Sequence, residues 1–85
     1  MSEKRTSKRT TVRHSLERNL EHLKSSKDKI DLNNRHGVCH GSARTFYDLG
    51  YLSAPDYRNY LWEVNQTFSE MELRLPEKYT TNYAV

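Results

Sequence analysis

The sequence predicts an all-α protein, a small three-helix domain behind a disordered basic N-terminal tail. Three observations carry this expectation. Apolar residues recur at helical spacing in three separate segments. No stretch of five residues or more outside the termini alternates with a strand period. The link Gly50-Tyr51-Leu52 between the second and third segments is short, which suits an antiparallel hairpin with the first helix packed across it.

The first helix is expected over about residues 11–30. Val12, Leu16, Leu20, Leu23 and Ile30 fall within about 80° of one another at 100° per residue, a narrow apolar stripe. Lys27 lies in that stripe and is expected to snorkel from the edge of the core. Glu17, Arg18, Glu21, Lys24 and Asp28 make the opposite face. Leu32, Asn33, Asn34 and Gly37 then read as a connection.

The second helix is expected over about residues 38–49. Val38, Cys39, Ala43, Phe46 and Leu49 are its core candidates. Gly41, Ser42 and Ala43 are small enough to let a neighbouring helix approach. Gly50 should end the helix in the left-handed conformation that follows a last turn.

The third helix has the clearest signals. Ser53-Ala54-Pro55-Asp56 places a capping hydroxyl, a first-turn proline and an acid in succession. Leu52 and Tyr57 flank the cap as a hydrophobic staple. Tyr57, Tyr60, Leu61, Val64, Phe68, Met71 and Leu75 make a stripe about 100° wide. Pro76 is expected to stop the helix. The organisation is therefore a disordered tail over 1–11, a domain over 12–75 and a frayed end over 76–85.

The charge is unevenly placed. The 85 residues carry 14 basic and 11 acidic side chains, a net charge of +3. Residues 1–14 hold Lys4, Arg5, Lys8, Arg9 and Arg13 against Glu3, a net +4; the remainder has nine basic and ten acidic residues, a net −1. The basic arm suits either nucleic acid or an acidic protein surface. No run of 18 apolar residues predicts a membrane span. The charged N-terminus lacks the apolar stretch of a secretory signal. The lone cysteine fits a reducing, cytoplasmic setting.

The residues that could carry chemistry are sparse. Arg35-His36-Gly37-Val38-Cys39-His40 holds three metal-capable side chains. On a helix His36 and His40 share an edge, while Cys39 points about 80° away from them. His14 and His22 fall on the outer side of the first helix, so no further cluster completes a zinc site. No metal and no cofactor are expected. Cys39 and adjacent His40 diverge on a helix, against a nucleophile–base pair. Glu63, Glu70 and Glu72 lie on a polar face, and no Gly-rich phosphate loop is present. Enzymatic activity is not expected.

DNA reading by the hairpin is disfavoured as well. A helix-turn-helix centred on Gly50 would want a small residue at Phe46 and an apolar one at Asp56. The early turns of the would-be recognition helix offer only Arg58 and Asn59 for base contacts.

The aromatic residues are more informative. Taking Tyr57 as the origin of a helical wheel, the core stripe spans about 300° through 40°, while Trp62, Leu73 and Gln66 fall at about 140°, 160° and 180°. Trp62 beside Arg58 and Gln66 has the composition of an interface anchor. Tyr47 and Tyr51 are expected to extend that surface. A short helical body with a basic tail and surplus aromatics is common among small accessory proteins of phages and other mobile elements, although no motif assigns a family. The leading expectation is a protein-binding module that inhibits, redirects or adapts a larger protein. The alternative is a nucleic-acid-binding regulator using the basic tail. A homodimer seamed along the first helix is a third possibility.

Overall fold

The computed structural model describes residues 8–78, with side chains from Thr10 onward. Three helices follow in order: α1 at Lys8–Lys24, α2 at Lys29–Asp48 and α3 at Ala54–Glu72. Among the described residues there is no strand, and no helix is long and apolar enough to cross a membrane. The expected all-α class holds. The boundaries of the first two helices do not, and α3 ends at Glu72, short of Leu75 and the stop expected at Pro76.

Helix α1 begins at Lys8, inside the span expected to be disordered, and stops at Lys24 rather than Ile30. Two serines and an aspartate make the break. Ser25 Oγ donates to the Glu21 carbonyl at 3.0 Å, and buried Ser26 Oγ donates to the Leu23 carbonyl at 2.7 Å. Each carbonyl also accepts a backbone N–H at 3.1 Å, Glu21 from Ser25 and Leu23 from Ser26, so the hydroxyls compete with continued helix at the last turn. Asp28 then caps α2, its carboxylate accepting from the Asp31 N–H at 2.7 Å, while the Asp31 carboxylate accepts from the Lys27 N–H at 3.2 Å. Lys27 thus belongs to an exposed connection and not to a helical stripe. Ile30, expected in the core, sits in the first turn of α2 and is 53% exposed.

The expected connection over residues 32–37 is instead the middle of α2. Leu32 is fully buried and begins a stripe with His36, Cys39, Ala43 and Phe46, spaced four, three, four and three residues apart. Burial of that stripe outweighs the poor helix propensity of Asn33, Asn34 and Gly37. Val38 and Leu49, expected in the core, point to solvent. Gly41 also faces outward, with no heavy atom within 4 Å of where a Cβ would stand, so it admits no neighbouring helix.

The end of α2 follows the sequence. Gly50 has φ +82°, and the Gly50 and Tyr51 N–H groups donate to the Tyr47 and Phe46 carbonyls at 3.0 and 2.9 Å. This is the paired bonding of a Schellman turn, with Tyr51 and Phe46 packed in the same apolar cluster. Helix α3 starts at the expected cap, Ser53 Oγ accepting from the Asp56 N–H at 3.2 Å, and Leu52 and Tyr57 join that cluster as the staple.

The core has two connected parts. Leu20, Leu23, Leu32, Cys39, Val64 and Met71 form one; Val12, Leu16 and Ala43 form the other. Tyr60 packs against both and donates its hydroxyl to the Leu16 carbonyl at 2.9 Å. Helix α2 packs along both α1 and α3, which meet each other over a shorter stretch. After α3 the chain folds back. Leu75 packs on the first cluster, the Pro76 carbonyl accepts from the Lys29 N–H at 2.9 Å, and Glu77 pairs with the Lys29 ammonium at 3.3 Å. Pro76 and Glu77 therefore dock against the start of α2, where fraying was expected. Residues 1–7 and 79–85, which include Lys4 and Arg5, lie outside the described residues.

Candidate functional site

The site expected from the sequence is the outer face of α3, and the packing of Tyr60, Val64 and Met71 decides which face that is. Those three turn inward, which leaves Arg58, Trp62 and Gln66 along the opposite side at steps of four. All three are exposed, and Trp62 retains 65% of its accessible surface. Leu73, the C-cap residue of α3, is 88% exposed at the end of the same row. An indole and a leucine thus stand in water beside an arginine and a glutamine.

Tyr47 and Tyr51 do not join that row. The Tyr47 ring stacks on Tyr57, with centroids 4.5 Å apart and planes within 8°. Tyr57 lies on the side of α3 turned toward α2, about 140° from Trp62. Tyr51 is half-buried and packs on the Val12–Leu16–Ala43 cluster. Both tyrosines act at the α2–α3 corner. Of the basic residues assigned to the arm, Lys8, Arg9 and Arg13 belong to α1, and the Arg13 side chain is exposed.

A groove of about 460 Å³ opens between the N-terminal halves of α1 and α3. Val12, Leu16, Tyr51 and Leu52 line its apolar part, and Arg13, Glu17, Asp56 and Glu63 stand around it. Nothing in the spacing of one helix announces it, because its walls come from three segments.

The cysteine and the histidines separate as the wheel predicts. Cys39 is buried with Sγ 3.4 Å from the Asn19 carbonyl. Burial pushes its thiol upward, with Tyr60 pulling it partly back, so thiolate is disfavoured. His40 turns away from Cys39. Its Nε2 lies 3.0 Å from Asn65 Oδ1, and His36 Nε2 lies 2.9 Å from the same oxygen. The His36 ring also packs on Phe68, centroids 4.3 Å apart. His14 and His22 are exposed on α1. Asn65 was no candidate in the sequence, since a single asparagine on another helix carries no spacing signal toward residues 36 and 40.

Arg35 has a structural task. It donates to the His22 carbonyl at 2.7 Å and pairs with Asp31 at 3.3 Å, which ties the last turn of α1 to the first turns of α2. The chain matches no protein-family model, and comparison with the curated proteins and with the solved structures gives no match.

Proposed function

We propose that this chain is a small non-enzymatic protein-binding module that inhibits, redirects or adapts a larger protein. Its contact surface is the outer face of α3, centred on Trp62 and bordered by Arg58, Gln66 and Leu73. The observation that carries this reading is the 65% exposure of the only tryptophan in the chain. Leaving an indole in water forgoes much of the roughly 1.5–3 kcal/mol that burial of a large apolar side chain supplies. A partner that covers Trp62 recovers it. The body that presents this face is an antiparallel α2–α3 hairpin with α1 across it. The reversed pairing of His36 with Phe68, His40 with Asn65 and Tyr47 with Tyr57 supports that arrangement.

The test is a pull-down from the native host, comparing the wild type with Trp62→Ala/Leu73→Ser. The reading expects a partner captured in stoichiometric amount by the wild type and lost by the variant, with the helical circular-dichroism spectrum unchanged. Equal capture by a folded double variant would contradict the assigned surface.

The clustering of Lys4, Arg5, Lys8, Arg9 and Arg13 favours a second reading, a nucleic-acid-binding regulator that uses its N-terminal segment. Titration of DNA and RNA binding against salt, for the wild type and for a variant with Lys4, Arg5, Lys8, Arg9 and Arg13 changed to Gln, separates the two. A steep salt slope abolished by these changes supports the second reading, and no binding at low salt removes it.

A further inference from the structure

His36 and His40 carry their imidazoles one turn apart on the edge of α2 that meets α3, with ring centroids 4.4 Å apart. Both Nε2 atoms converge on one atom, Asn65 Oδ1, at 2.9 and 3.0 Å. We propose that these three side chains form a binding site for a divalent transition-metal ion of the nickel, copper and zinc group. The two Nε2 atoms and Oδ1 are the protein ligands, and water fills the remaining positions.

The chemistry and the spacing both fit. Neutral imidazole is a preferred ligand for this group of ions, and an amide oxygen is an acceptable companion. With ligands about 2.1 Å from a metal, neighbouring donor atoms stand about 3.0 Å apart in an octahedral site and about 3.4 Å apart in a tetrahedral one. The Nε2–Oδ1 separations of 2.9 and 3.0 Å are hydrogen-bond distances that also lie near the shorter edge, so the hydrogen bonds gather the three donor atoms. Without metal, each Nε2–H donates to Oδ1 as shared acceptor. When metal enters, each ring carries its hydrogen on Nδ1 instead.

The surroundings hold the ligands and leave room for water. Phe68 packs on the His36 ring and fixes its plane. Gly37 and Gly41 follow the two histidines, and neither has a heavy atom within 4 Å of where its Cβ would stand. The flank beside the imidazoles is therefore bare. Among the described residues no third histidine, cysteine or carboxylate joins the pair. The amide oxygen from α3 takes that place, and metal binding would staple α2 to α3.

Zn2+ titration of the full-length protein tests the proposal, read by calorimetry, histidine ring NMR and thermal melting. The expected result is one saturable site per chain with micromolar affinity. Only the His36 and His40 ring signals move, and the melting temperature rises until chelator is added. His40→Ala abolishes the site, and Asn65→Ala weakens it by about tenfold or more, comparable to the loss of a supporting ligand. Absence of saturable binding up to millimolar Zn2+ would overturn it. So would ring shifts at His14 or His22 in place of His36 and His40, which the wild type reports without any variant. Undiminished affinity in Asn65→Ala would leave an ordinary two-histidine surface chelate and remove the three-ligand site.

Discussion

Tyr60 joins the two halves of the core, and its chemistry sets how the fold responds to alkali. Burial and the neighbouring Cys39 push its phenol well above the ordinary 10.0, and burial raises the Cys39 thiol above 9.0. The fold holds both groups protonated. Their contribution is complete below about pH 9, where the unfolded chain is protonated too, and falls as the pH climbs and unfolded thiol and phenol ionise. The urea midpoint should therefore be flat from neutrality to about pH 8.5 and decline above about pH 9. Tyr60→Phe should cost about 1 kcal/mol at neutral pH through the lost bond to the Leu16 carbonyl, and should soften the alkaline decline. Leu32 and Ile30 provide a second contrast. Leu32→Ala should cost about 2–5 kcal/mol, because Leu32 is fully buried among well-packed neighbours. Ile30→Ala should change stability by no more than about 0.5 kcal/mol, because that side chain stands half in water. Equal effects at the two positions, measured by denaturant titration, would contradict the boundary between α1 and α2.

At the scale of the element, the helices differ in how plainly the chain announces them. Helix α3 was legible at its start and along its stripe, because a capping serine, a first-turn proline and a staple all agree, although it stops at Glu72 and not at Pro76. The break before α2 was hidden by a coincidence of spacing. Ile30 follows Leu23 by seven residues, so the apolar stripe stays in phase across Ser25–Asp28 although the chain turns there. The pair Asp28 and Asp31 was the available start signal, and the weak helix formers Asn33, Asn34 and Gly37 masked it. The site divides along the same line. Trp62 and Leu73 were legible because exposure on one helix follows from that helix's own stripe. The meeting of Asn65 with His36 and His40, and the groove between α1 and α3, were not, since both depend on how separate helices pack. Gly37 and Gly41 remain costs within α2, each in open space. Gly37→Ala and Gly41→Ala should each stabilise the protein by about 0.5–1 kcal/mol in thermal or chemical unfolding. Gly50→Ala should act in the opposite direction, because φ +82° strains any residue with a Cβ.

At the scale of the molecule, charge and apolar exposure are segregated. The positive charge is concentrated in residues 1–14, while the remaining chain is near neutral and carries its exposed indole on α3. The proposed function assigns these two regions different physical roles. The basic segment would steer association with an acidic partner surface in a salt-sensitive way, and the α3 face would provide desolvated contact that salt barely changes. Changing Lys4, Arg5, Lys8, Arg9 and Arg13 to Gln should therefore remove much of the salt dependence of partner binding while leaving its dependence on Trp62 intact. Loss of both together would contradict that division. The central claim is that the partner covers Trp62, and the single tryptophan allows it to be read without labels. The most direct measurement is acrylamide quenching of Trp62 fluorescence, free and with a saturating amount of a partner that contains no tryptophan or has been rendered non-fluorescent. The account predicts ready quenching and solvent-like emission in the free protein, then a blue shift and strong protection in the complex. Emission and quenching unchanged by a partner shown to be bound would contradict it.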